Sequence, residues 1–92
     1  MEFSGQMWFW RGPSPYHFVT IPDVECRHIK KVAPSITYGW GMVPCEILIG
    51  ATHSRTSLWP KDGGYILPVK TAVREAEGLE LGDEISVRLF LD

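Results

Sequence analysis

The clearest pattern in the sequence is an alternation of apolar and polar residues at its C-terminal end. Ile85, Val87, Leu89 and Leu91 occupy every second position there, which predicts a strand with one buried face. The preceding Gly82-Asp83 pair predicts a tight turn into this strand. Other short apolar or alternating runs predict strands at 3–11, 17–21, 43–49, 52–59 and 64–67.

Two segments have the spacing of helices instead. We expect the second to begin at Pro68, because a proline at the first helical position gives up no intrahelical hydrogen bond. Gly78 is well placed to end it. Residues 60–64 are predicted to turn the chain between the strands at 52–59 and 64–67. The apolar positions are Cys26, Ile29, Ala33 and Ile36 in the first helix, and Val69, Ala72, Val73, Ala76 and Leu79 in the second.

A strand–helix–strand unit therefore occurs twice, at approximately 16–50 and 64–92. Two such units predict a pseudo-twofold internal duplication, in which each half completes the sheet of the other. The predicted fold class is mainly β: a small barrel of about six strands with two short helices, in a single domain over residues 1–92.

Composition and charge narrow the range of expected binding partners and locations. Nine Lys and Arg residues against 11 Asp and Glu residues give a net charge of -2, which argues against strong non-specific binding to phosphate. No apolar run approaches the roughly 20 residues of a membrane span, so no membrane partner is expected. The N-terminal segment lacks the pattern of a signal peptide, and a cytoplasmic location is the prediction.

The two cysteines, Cys26 and Cys45, are interpreted as small buried apolar side chains. The alternative joins them with His28 and His53 in a zinc site. Structural zinc sites usually contain a close Cys pair, and this spacing has none. The sequence predicts no metal and no cofactor.

Cationic and aromatic residues converge between positions 55 and 74. Arg55, Ser57 and Trp59 alternate onto one strand face, while Lys70 and Arg74 are four residues apart and share a helix face. Such a surface suits an anionic small ligand, because Arg gives planar contacts, Lys a point charge and Trp a stacking surface. The structural alternative is a solvated charged face with Trp59 sealing the barrel. The predicted ligand-binding residues are Arg55, Ser57, Trp59, Lys61, Tyr65, Lys70 and Arg74.

Other candidates have simpler structural explanations. Trp8 and Trp10 share a strand face, where barrel packing or a dimer seam explains them with fewer assumptions than stacking on single-stranded nucleic acid. A Ser57 nucleophile with Lys70 as base would make a small hydrolase or transferase, but no catalytic motif supports it. A basic group on the first helix is interpreted as a solvated face: Arg27, His28, Lys30 and Lys31.

Several motifs carry a resemblance to a known family. They are Phe3, Trp8 and Trp10, Trp40-Gly41, Thr56-Ser57-Leu58, Trp59-Pro60, the run from Gly63 to Lys70, Ala72-Val73-Arg74, Gly78-Leu79 and Gly82-Asp83. The chain thereby resembles the uncharacterised prokaryotic family called domain of unknown function nineteen-oh-five. The resemblance implies a double-split β-barrel like that of the AbrB and MazE transcription factors and antitoxins. It implies no established activity.

The functional hypothesis from sequence is a non-enzymatic binding or interaction module. Its partner would be an anionic small ligand or a protein, and the molecule would be a monomer or a homodimer. The chief alternative is a DNA-binding regulator or antitoxin-like protein, by analogy to the AbrB-like fold. A small hydrolase or transferase is the third hypothesis.

Overall fold

The computed structural model of the chain is a closed barrel of six antiparallel strands with two helices, which confirms the predicted fold class. The alternating runs form strands at nearly the predicted positions. The elements, in chain order, are β1 (Glu2–Trp10), β2 (Tyr16–Thr20), α1 (Asp23–Ile36), β3 (Val43–Ile49), β4 (Thr52–Lys61), β5 (Gly64–Pro68), α2 (Thr71–Glu77) and β6 (Glu84–Leu91).

The structure describes residues 1–12, 16–37 and 41–91. The predicted loop residues at 13–15 and Trp40 of the family resemblance lie outside the described residues. Neither helix within these ranges is long and apolar enough to cross a membrane.

The order of strands around the barrel is β1-β2-β5-β4-β3-β6, and β6 pairs again with β1. Exchanging the segment β1-β2-α1-β3 with the segment β4-β5-α2-β6 leaves this ring order unchanged. A twofold internal duplication predicts such an order. The half-unit at approximately 16–50 contains β2, α1 and β3, and the half-unit at approximately 64–92 contains β5, α2 and β6. The strands β1 and β4 precede these half-units and complete the two exchanged segments.

Alternating side chains fill the inside of the barrel. Along β3, the residues at positions 43, 45, 47 and 49 are all at most 3% exposed, and the intervening side chains face outwards. The helix α1 covers one side with Cys26, Ile29 and Ala33, as its helical spacing predicted. Ile85, Val87 and Leu89 of β6 are buried too, so the period of two identified the correct face.

The turn between β4 and β5 is shorter than predicted. It consists only of Asp62 and Gly63, both with positive φ, of 50° and 79°. This left-handed conformation is that of a two-residue hairpin turn, which favours Asp-Gly. Because the turn is so short, β4 continues to Lys61, and Pro60 lies within the strand opposite Tyr65.

The second helix begins later than the proline rule predicts. Pro68 is the last residue of β5 and pairs with Phe18, and the Val69 amide donates a hydrogen bond of 2.9 Å to the His17 carbonyl. This pairing keeps residues 68 and 69 extended, so α2 starts at Thr71 and is seven residues long. Only Val73 of this short helix is buried, and the predicted apolar positions Ala72 and Ala76 are exposed. Gly78 ends the helix in the left-handed conformation, as predicted.

Candidate functional site

Four of the seven predicted site residues lie on the outer face of β4. The inner face carries Leu58, which is fully buried in the core. Since successive side chains of a strand point to opposite faces, the alternate positions face outwards. These outward positions belong to Arg55, Ser57, Trp59 and Lys61.

Strand β4 adjoins helix α2, as the sequence hypothesis requires. The Lys70 ammonium donates a hydrogen bond of 2.5 Å to the main-chain carbonyl of Arg55. At the other end of the helix, the Thr52 hydroxyl donates one of 2.5 Å to the Glu77 carboxylate. Lys70 itself precedes α2 and has an extended backbone, so it does not share a helix face with Arg74 as predicted.

Tyr65 does not lie on the outer face of β4 with the four residues above. Its side chain belongs to the core and is 8% exposed, so it lies on the inner face of β5. Burial, with a smaller contribution from Cys26, raises the pKa of its hydroxyl. Tyr65 therefore does not share the outer face of β4 with Arg55, although Tyr65 and Lys61 both line a cavity of about 350 Å³ at the β4–β5 turn.

Five aromatic rings form a cluster outside the barrel, which we call the outer aromatic cluster. Phe18 lies at its centre and is fully buried, although its neighbour Val19 points into the barrel core. Four rings surround it with centroids at 5.0–5.9 Å. They belong to Trp8, Trp10, Tyr16 and Trp59. Trp8 and Trp10 therefore pack on the outer surface of the barrel and do not belong to its core, and the dimer seam stays a prediction.

Two of the predicted cations are already paired with carboxylates. Lys61 lies 5.5 Å above the centre of the Trp10 ring and 2.7 Å from a carboxylate oxygen of Asp62. A guanidinium nitrogen of Arg55 lies 3.5 Å from the Glu46 carboxylate. Exposed pairs of this kind contribute at most about 1 kcal/mol, but they reduce the positive charge available to a ligand.

Arg74 lies in a different environment, in a cavity of about 310 Å³. We call this cavity the Arg74 pocket. Strand β1 supplies one wall, strand β2 two side chains, and helix α2 the remaining two. The five lining residues are Phe9, Tyr16, His17, Thr71 and Arg74.

The guanidinium of Arg74 is incompletely satisfied. Its Nη2 atom donates a hydrogen bond of 2.9 Å to the Thr71 hydroxyl. Its Nε atom is shielded from solvent and has no hydrogen-bond partner, and it is the one buried side-chain nitrogen or oxygen in this condition among the described residues. Within the same ranges of the chain, Arg74 forms no ion pair with a carboxylate. A charged donor is thus partly withdrawn from water without compensation.

His17 also lines the Arg74 pocket, and its pKa is lowered there. Its ring packs edge-on against Phe9, with centroids 5.0 Å apart and an interplanar angle of 67°. Burial, and then the nearby Arg74 charge, lower the pKa of the imidazole from 6.5. The ring is therefore neutral at pH 7, and Arg74 supplies the positive charge of the pocket lining.

Sequence reasoning identified Arg74 but missed its four neighbours in the pocket. Phe9 and His17 meet because they are directly opposite in the β1–β2 register. That register depends on the loop that joins the two strands, and a shift of one residue would turn the other face of β2 towards Phe9. The available signal was the facing pair of aromatic runs on either side of residues 11–15.

The other candidates do not form a ligand site. Cys26 and Cys45 are buried, whereas His28 and His53 are exposed. In the part of the chain that the structure describes, no cluster of His, Cys, Asp or Glu is arranged to hold a metal. A cavity of about 530 Å³ is lined by Arg88 and Glu2, whose charges already form an ion pair at 2.6 Å.

Comparison with known proteins identifies a family but no activity. No curated protein matches the chain in sequence. A family model described as a domain of unknown function, DUF1905, matches residues 3–89. Since this match covers nearly the whole sequence, the chain belongs to the DUF1905 family.

Proposed function

We propose that this protein is a non-enzymatic binding module for small organic anions and that the Arg74 pocket is its binding site. The observation that carries the proposal is the unpartnered, solvent-shielded Nε atom of Arg74. Native proteins leave few buried donors unsatisfied, so each one needs an explanation, and a bound anion is the explanation proposed for Arg74.

The energetics favour an anion. An unsatisfied buried donor costs about 1–3 kcal/mol, and a charged one costs more. A carboxylate or phosphate oxygen in the pocket would offset this cost, after a small rotation of the guanidinium towards the opening. The Thr71 hydroxyl accepts a hydrogen bond from Arg74 and keeps its own proton to donate. A guanidinium and a hydroxyl can both donate hydrogen bonds to an anion, and this supports ligand binding as the role of the protein.

The test is a titration with simple anions followed by NMR. We expect benzoate to shift the amide signals of Phe9, His17 and Thr71 at millimolar concentration, as for a ligand with few atoms. Arg74→Gln should weaken this binding by about tenfold or more, because it removes a charge-assisted hydrogen bond. Arg88→Gln is the matched control, since Arg88 lies outside the pocket and pairs with Glu2. Equal affinity in the wild type and Arg74→Gln would overturn the proposal.

DNA binding and an AbrB-like relationship stay predictions from the sequence. Arg55 and Lys61 would be among the residues that contact phosphate, and each already has a carboxylate partner. Salt-dependent binding to duplex DNA at about 50 mM salt would favour this alternative over the Arg74 pocket. The cytoplasmic location and the monomeric or dimeric state are likewise proposals from the sequence alone.

We predict that His17 makes the protein less stable in weak acid. Folding lowers the pKa of His17 below its unfolded value of 6.5, so the unfolded chain binds more protons in the range between these two values. The free energy of unfolding should therefore decrease as the pH falls from about 6.5 through the folded pKa. Urea unfolding at several pH values measures this slope. It should be smaller in His17→Gln, and His28→Gln controls for the loss of an exposed imidazole. Identical slopes in His17→Gln and the wild type would contradict the prediction.

A further inference from the structure

We infer, as an extension of the proposed function, that the Arg74 pocket selects a small carboxylate with one negative charge and a flat, aromatic body. The inference rests on the proposal that this pocket binds anions. It adds the charge, the shape and the size of the ligand, each of which follows from a separate feature of the lining.

Charge is the first feature. The lining contains one cation, Arg74, and no carboxylate. His17 is neutral at pH 7, because burial and Arg74 lower its pKa. A single negative charge on the ligand is therefore balanced, whereas the second charge of a phosphate monoester would be desolvated without a partner. The charge count favours a carboxylate over a phosphate.

The arrangement of donors agrees with a planar anion. The Nε and Nη2 atoms of Arg74 share one edge of the guanidinium, and this edge matches the two oxygens of a carboxylate. Nη2 is already hydrogen-bonded to the Thr71 hydroxyl at 2.9 Å, so the hydroxyl lies next to the guanidinium. One carboxylate oxygen can accept from the guanidinium while the other accepts from Thr71.

The aromatic walls and the volume of the pocket indicate the shape and the size of the ligand. Phe9, Tyr16 and His17 provide three flat rings, and Phe9 remains 38% exposed. A flat apolar ligand would cover the exposed part of the Phe9 ring and gain the stabilisation of an aromatic contact. The volume of about 310 Å³ is at the lower end of the range for ligand pockets, so the ligand is small.

A panel of five probes tests the class, with dissociation constants measured by NMR at pH 7. Benzoate has every required feature. Benzamide lacks the charge, phenyl phosphate adds a second charge, acetate lacks the body, and cyclohexanecarboxylate replaces the flat ring by a puckered one. We expect benzoate to bind most tightly, about tenfold or more tighter than benzamide. Phe9→Leu should reduce the preference for benzoate over cyclohexanecarboxylate.

The outcomes separate the inference from the proposed function. If phenyl phosphate or acetate binds as tightly as benzoate and Arg74→Gln weakens all of them, anion binding stands and the carboxylate class is wrong. If benzoate and cyclohexanecarboxylate bind equally in both the wild type and Phe9→Leu, the flat body is wrong. If no probe binds in a manner that depends on Arg74, the proposed function itself is overturned.

Discussion

Phe18→Ala is expected to lower the free energy of unfolding by about 3–5 kcal/mol, the usual cost of truncating a fully buried phenylalanine. The ring is 0% exposed and contacts four other aromatic rings, so its removal leaves a cavity at the centre of the outer aromatic cluster. A domain of this size is stable by only about 5–15 kcal/mol, and the loss is a large share of that total. Urea unfolding followed by tryptophan fluorescence measures it.

Phe90→Ala is the matched control for this prediction. Phe90 also lies on a strand, but its side chain is 48% exposed. Its truncation should cost no more than about 1 kcal/mol, in the range of surface substitutions. A loss of about 1 kcal/mol or less in Phe18→Ala would show that the outer aromatic cluster contributes little to stability.

The barrel was predictable because its strands follow a single rule. In β6, Ile85, Val87 and Leu89 occupy every second position, and each is at most 2% exposed. Each inward-facing residue removes apolar area from water, so the alternation records the face that folding must bury. The short helix α1 was predictable for the same reason, since Cys26 and Ile29 recur at helical spacing and are buried.

Pairing between strands explains what the local rules missed. A proline before a helical pattern predicts the first position of a helix, but Pro68 is held opposite Phe18 at the end of β5. The backbone hydrogen bond from Val69 to His17 is a contact between distant parts of the chain. Local propensity is a weak preference, and this tertiary pairing outweighs it.

The outer aromatic cluster was hidden by an ambiguity in β1. Phe3 and Met7 are buried in the core, whereas Trp8 and Trp10 cover the opposite face. When both faces of a strand carry large apolar groups, period two no longer indicates which face is inside. Only the pairing with β2, which places Trp8 opposite Phe18, separates them.

The candidate site was partly predictable for a related reason. Arg74 was identified from its position on a helix face, but three of the four other lining residues come from β1 and β2, more than 50 positions away in the chain. Tyr65 was grouped with the cations because it is near them in sequence, and the barrel places it on the inner face. Neighbours in sequence share a surface only when the pleat gives them the same face.

Arg74→Met is expected to separate stability from binding. Methionine is unbranched, fills a similar space and is a good helix former, so α2 should persist. The substitution removes a partly buried charge that has no carboxylate partner among the described residues, together with its unsatisfied Nε atom. Replacing such a group by an apolar one is often neutral or stabilising. We expect the free energy of unfolding to stay unchanged or to rise by about 1 kcal/mol, while the affinity for benzoate falls by about tenfold or more.

A gain in stability with a loss of binding is expected of a residue kept for its ligand, because replacing a purely structural arginine would lower stability and leave binding unchanged. Urea unfolding and an NMR titration on the same samples measure both quantities. Arg88→Met serves as the control: it removes an exposed ion pair with Glu2, so it should cost at most about 1 kcal/mol and leave benzoate affinity unchanged. A loss of about 2 kcal/mol or more in Arg74→Met, with benzoate affinity retained, would assign Arg74 to the fold and would remove the pocket as a binding site.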